Sequence, residues 1–193
     1  MKVIVNMPKC LDKESVSGFL NKLKFEKMTI CRKETPSKSE SPDKCDEESY
    51  CIDVMEIQTD LMTLTLESFL DSTRSNLFLF NREVETQEVP KVIFATDCSD
   101  QATENLNNFK LAKPAGFGGA TVISEPESTN IGTSLDETSR TFLERIRSAA
   151  HASQANLIIA NFDLGNLGRK SIRMSNLVKL VLQNKCHVLI LKS

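Results

Sequence analysis

Short, nearly continuous apolar runs alternate along this chain with stretches where apolar residues return every three or four positions. Residues 2–7, Lys-Val-Ile-Val-Asn-Met, form the first run, the pattern of a strand buried on both faces of a parallel sheet. Val16, Phe19, Leu20 and Leu23 then follow at helical spacing, with Asp12 placed to cap them. Strands are expected at 28–31, 51–57 and 76–80, with a helix at 61–69 before the last of these. After Val89-Pro90 a second series begins with a strand at 92–96. Ser99 or Asp100 opens a helix through Leu106, Phe109 and Leu111, which Pro114 and Gly116-Phe-Gly-Gly119 end. A strand at 120–124, a loop at 125–135 and a helix at 141–150 on Phe142, Leu143 and Ile146 come next. A strand at 157–160, a glycine-containing loop at 161–170, a helix at 177–182 and a strand at 187–191 complete the series. Strands alternating with helices predict an α/β protein with doubly wound parallel sheet, Rossmann-like and covered on both sides.

The two series resemble each other. Lys2-Val-Ile-Val-Asn-Met-Pro-Lys-Cys10 is echoed by Lys91-Val-Ile-Phe-Ala-Thr-Asp-Cys-Ser99. Echoes of 18–24 in 108–113, of 27–33 in 119–124, and of 66–81 in 143–161 follow in the same order. The chain therefore reads as a tandem degenerate repeat, with units at 1–89 and 90–193. The alternative, that any two α/β halves share such apolar runs, stays open. Charge divides similarly: residues 1–89 hold 12 Lys and Arg against 17 Asp and Glu, and residues 90–193 hold 12 against 9. Residues 33–49 are Ser, Pro and charge with almost nothing apolar, and are expected to form a flexible surface loop.

Composition narrows the function. With 193 residues and 40% hydrophobic positions the chain can bury a core without staples. A net charge of -2, no Trp and one Tyr argue against a nucleic-acid binder. No apolar stretch is long enough for a membrane span, and the N-terminal run is too short for a secretory signal. The six cysteines are scattered without a C-x-x-C pair and only two His exist, so free thiols in a cytoplasmic protein are expected, with no metal site. No catalytic triad, carboxylate pair or Walker-type loop is present, and no enzyme activity beyond weak ATP hydrolysis is expected.

Ligands of open parallel sheets bind at strand C-terminal ends, where strand order reverses. Two segments fall there in the second unit: Ala95-Thr-Asp-Cys-Ser99, and Asn161-Phe-Asp-Leu-Gly-Asn-Leu-Gly-Arg-Lys170. They bring an acid able to accept from a nucleoside, glycines that admit a phosphate to the backbone, and two cations. With the ending Lys179-Leu-Val-Leu-Gln-Asn-Lys-Cys-His-Val-Leu-Ile-Leu191, these segments resemble the universal stress protein family over about residues 90–193. The resemblance implies a fold of the adenine nucleotide alpha hydrolase type and a regulatory role in stress responses. It also implies dimerisation and, in one branch of the family, binding of ATP or AMP with Mg. Two such units would pack as an internal pseudo-dimer.

Carried over by the resemblance, Asp97 and Ser99 would face the nucleoside, Gly165 and Gly168 would wrap ribose and phosphate, and Arg169, Lys170 and Ser175 would hold the phosphates. The family's third glycine is missing at Val178 or Met174, Asn161 stands at the customary first glycine, and a strand and helix expected between 125 and 137 are absent. The plainer readings also stand. Asp97 or Ser99 would cap the helix that follows, Gly165 and Gly168 would be turn glycines, and the cations a solvated helix start. The functional expectation is a nucleotide-binding regulator with a protein partner or a second copy. Its rival is a protein–protein interaction module that has lost its ligand.

Overall fold

The computed structural model describes residues 1–33, 49–59, 62–73, 75–84, 89–116, 120–124, 135–161, 177–183 and 185–192. The strands are β1 (Lys2–Pro8), β2 (Met28–Lys33), β3 (Ser49–Glu56), β4 (Asn76–Phe80), β5 (Val92–Thr96), β6 (Ala120–Ser124), β7 (Leu157–Asn161) and β8 (His187–Ile190). The helices are α1 (Lys13–Leu20), α2 (Thr63–Ser72), α3 (Asp100–Leu111) and α4 (Leu135–Ser153), and residues 177–183 are also helical.

The eight strands of the described residues lie in one sheet, in the order β2-β1-β3-β4-β8-β7-β5-β6. Within β1–β4 and within β5–β8 every pairing is parallel, and β4 meets β8 antiparallel, Phe78 opposite Leu189. The C-terminal ends of the two sets of strands therefore lie on opposite edges of the sheet. In each set the strand order reverses between the first and third strands, β1 and β3 or β5 and β7. One echo of the sequence pairs β4 with β7. In the sheet, however, β4 occupies the position of β8, and β7 that of β3. A helix followed by an apolar strand looks alike at either place, so local pattern does not separate them.

Alternation along the inner strands sends side chains to two cores. Val3, Val5 and Met7 of β1, Ile52 of β3, Phe78 of β4 and Leu189 of β8 face α1 and α3, where Val16, Phe19, Leu20 and Phe109 meet them. Leu77, Leu79, Ile93, Ile158 and Val188 face the other way, against Leu66 and Leu70 of α2 and Phe142 and Ile146 of α4. Each core draws on both halves of the chain, so the antiparallel seam is covered on both sides. A second contact joins the halves. The backbone N–H groups of Ala115 and Gly116 both donate to the Leu23 carbonyl, at 3.0 and 2.8 Å. A Cβ on Gly116 would lie 1.6 Å from the Lys22 carbonyl oxygen, so only glycine fits there.

Three local expectations shift. α4 begins at Leu135 rather than 141, because its first turns are polar and carry no apolar period. α2 begins at Thr63 rather than 61, since Met62 belongs to the preceding turn, its Sδ accepting from the Gln58 N–H at 3.3 Å. The loop expected at 33–49 yields its ends to β2 and β3, and its remainder lies outside the described residues. Free thiols are found at Cys10, Cys31, Cys98 and Cys186, but Cys51 is disulfide-bonded, against expectation. No helix among the described residues is long and apolar enough to cross a membrane.

Candidate functional site

β5 is a fully apolar strand until Thr96, and its last residues leave the sheet at the point where strand order reverses. Thr96 stands opposite Asn161, the last residue of β7. The Asp97 N–H continues the ladder by donating to the Asn161 carbonyl at 3.4 Å. Asp97 is half-buried, and its Oδ1 accepts from the Ser99 N–H at 3.2 Å and the Ser99 hydroxyl at 2.8 Å. Ser99 in turn caps α3, its Oγ accepting from the Ala102 N–H at 3.1 Å. Between them Cys98 is exposed in the left-handed region, φ 59°, its N–H donating to Thr96 Oγ1 at 3.1 Å. A side chain held there in a sparsely populated conformation is a feature of tight functional turns.

Beneath this loop lie two buried amides. Asn161 donates through Nδ2 to the Ala102 carbonyl at 2.6 Å, and Asn105 donates to the Leu191 carbonyl at 3.4 Å while accepting from Gln101 at 3.2 Å. The first turn of α3 carries Asp100 and its last turn Lys110, both complementing the helix macrodipole. An acid therefore already stands at the helix end where a phosphate would otherwise be attracted. At the end of β6, Arg145 donates to the Ser124 carbonyl at 3.0 Å.

The two predicted residues that are described, Asp97 and Ser99, thus share one turn at the reversal of strand order. Gly165, Gly168, Arg169, Lys170 and Ser175 lie outside the described residues. Among the described residues no group of three or more His, Cys, Asp and Glu could hold a metal ion. The buried amides of Asn161 and Asn105 were not singled out as ligands by sequence. Asn161 ends an apolar strand and reads as a turn residue. Its only other signal is that it replaces a glycine of the resemblance.

A solved universal stress protein from Archaeoglobus fulgidus DSM 4304 matches 98% of this chain and 96% of its own, with a TM-score of 0.61. The chain has the fold of a universal stress protein. Sequence identity to that structure is 12%, so the likeness is one of fold. No family model and no curated protein matches the chain.

Proposed function

We propose that this chain is a universal-stress-protein-like regulatory protein that binds an adenine nucleotide where β5 and β7 end. The observation that supports this reading is the placement of Asp97, half-buried and aligned by Ser99, beside Asn161 at the reversal of strand order. In this reading Asp97 accepts from the nucleoside. The segment leaving β7, with Gly165, Gly168, Arg169, Lys170 and Ser175, holds the phosphates, and Mg would shield their charge. The protein acts in the cytoplasm through a protein partner or a second copy, and nucleotide turnover is at most slow. The shared strand order of the two halves supports descent from a duplicated unit.

The test is thermal unfolding with AMP and ATP. A ligand at roughly 100-fold excess over its Kd stabilises by about 2.7 kcal/mol, a rise in Tm of about 5–10 °C for a chain of this size. Asp97→Ala is expected to abolish that rise. Asp97→Asn keeps an oxygen for Ser99 and is expected to reduce it. Equal stabilisation of Asp97→Ala and the native chain removes Asp97 from the site.

One observation favours the rival reading, an interaction module without ligand. Asp97 Oδ1 and Asn161 Nδ2 are already engaged within the protein. Mass spectrometry of the purified protein separates the two readings. Near-stoichiometric AMP or ATP supports the first, and an empty protein that captures a specific partner supports the second.

A further inference from the structure

The sheet of the described residues has two edge strands, β2 and β6. An edge presents a row of unpaired N–H and C=O groups that invites a further strand, and proteins guard such rows with charge, proline or a covering segment. β2 is guarded. It ends in Arg32 and Lys33, both exposed, and Arg32 turns back to donate to the Lys9 and Leu11 carbonyls. β6 reads Ala-Thr-Val-Ile-Ser, without charge or proline. Among the described residues it pairs only with β5, and its carbonyl contact with Arg145 falls at its last residue, Ser124.

The strand is bare on more than its edge. Ile123 joins the core that Phe142 and Ile146 of α4 cover, so Thr121 shares that face and Ala120 and Val122 take the other. There Val122 stands beside Phe94 of β5, which packs edge-on to Phe109 of α3. The cover stops at Phe94. Val122 is 64% exposed, the most exposed large apolar side chain among the described residues, and Ala120 and Thr121 are exposed with it.

Only extended backbone satisfies such an edge. β6 of a second copy is already extended, so pairing with it costs little ordering, and it is uncharged, so no like charges meet. We infer that β6 pairs antiparallel with β6 of a second copy, about a two-fold axis at Val122, and carries the sheet on across both chains. Centring on Val122 lets all five residues overlap. Val122 then stands opposite Val122 of the other copy, Thr121 opposite Ile123, and Ala120 opposite Ser124. A two-fold contact closes at two copies, whereas pairing β6 with β2 would leave an edge at each end and grow without limit. Five residues a side make a small contact, so the dimer is weak and reversible. Neither the nucleotide nor its residues enter this inference, and its failure leaves that reading untouched.

The experiment is sedimentation equilibrium of the full chain and of Val122→Lys and Val122→Glu over a range of concentrations. The native chain is expected to show a monomer–dimer equilibrium. Each variant sets two like charges opposite each other and is expected to dimerise about tenfold more weakly. An equimolar mixture of the two is expected to regain the dimer, because Lys then meets Glu. Val122 is exposed, so both variants are expected to fold, with cooperative melting as the check. A native chain that stays monomeric throughout overturns the inference, and so does one that grows beyond dimers. A Val122→Lys protein that dimerises as tightly as the native chain places the contact elsewhere and overturns it. Variants that stay monomeric when mixed also overturn it, since Val122 then does not face itself.

Discussion

At the reversal between β1 and β3, Asn6 donates to Asp53 at 2.7 Å and the Thr73 hydroxyl takes the second carboxylate oxygen at 2.7 Å. The loop after β1 is tied down from the next strand, Arg32 donating to the Lys9 and Leu11 carbonyls at 3.1 Å each. At the end of β3, Glu56 holds Arg82 at 2.9 Å and Gln58 at 3.0 Å. The reversal between β5 and β7 has the same strand order and another use of its polar groups. Its loop is folded on its own short side chains, with Cys98 in the left-handed region and a buried acceptor at Asn161 unpaired. One edge of the sheet thus spends its side chains on cohesion. Among the described residues the other keeps one buried acceptor unpaired, Asn161 Oδ1.

If the two edges belong to one cooperative body, damage at the junction of the halves must be felt by both. Gly116→Ala is expected to have the largest effect, because its methyl would overlap the Lys22 carbonyl, and backbone on both sides must move. A loss of about 3 kcal/mol is expected, about 6–12 °C in Tm for a chain of this size. Gly18 is the control. It lies inside α1 with nothing within 4 Å of an added Cβ, so Gly18→Ala is expected to stabilise by about 1 kcal/mol. Urea denaturation decides, and an unchanged midpoint for Gly116→Ala removes the junction.

The seam itself carries a titration. His187 of β8 is packed among Phe19, Phe78 and Phe80 of the first half, its ring centroid 4.1, 5.3 and 5.1 Å from theirs. Its Nδ1 accepts from the Asn81 N–H at 3.2 Å, so the ring is neutral with its proton on the other nitrogen. Burial pushes its pKa down to about 3 from the ordinary 6.5. The unfolded chain takes up a proton below pH 6.5 that the folded chain refuses, so stability falls as pH drops from 6.5 towards 3. The loss from this group is about 2 kcal/mol at pH 5. His187→Phe is expected to be less stable at neutral pH, having left the Asn81 N–H unpaired, and to lose that part of the acid slope. A variant with the native slope between pH 6.5 and 5 would separate the acid sensitivity from the seam.

The inner strands of this sheet were legible because they are buried on both faces, and runs such as Asn76–Phe80 and Leu157–Asn161 are buried along their whole length. The antiparallel seam was not. β4 and β8 are both continuous apolar runs, and nothing local marks which way they meet. The early start of α4 was hidden for the opposite reason, since polar turns carry no period. At the candidate site, Asp97 and Ser99 could be read from the strand-to-helix turn they form, and the structure joins them through one hydrogen-bonded loop. The unpaired oxygen of Asn161 could not be read, because burial and partner are properties of the packed molecule. The bonding of Cys51 was equally silent, as the cysteine spacing shows no pair.

The smallest expected effect separates the two edges most cleanly, because it makes the same change in both. α1 and α3 each begin at a side-chain cap: Asp12 accepts from the Ser15 N–H at 2.9 Å, and Ser99 from the Ala102 N–H at 3.1 Å. The Asp12 carboxyl also accepts from the Ser15 hydroxyl, and that bond, with the two backbone N–H groups, holds its pKa below the ordinary carboxylate value. Its contribution is present at neutral pH and is lost as pH falls through the lowered value. Ser99→Ala removes a cap worth about 1 kcal/mol and also the hydroxyl that aligns Asp97. Both Asp12→Ala and Ser99→Ala are expected to lower Tm modestly. Only Ser99→Ala is expected to weaken the response of Tm to AMP, because only its cap is shared with the acid of the proposed site. If the two variants respond to AMP alike, the capped turns do the same work and the contrast between the edges fails at its base.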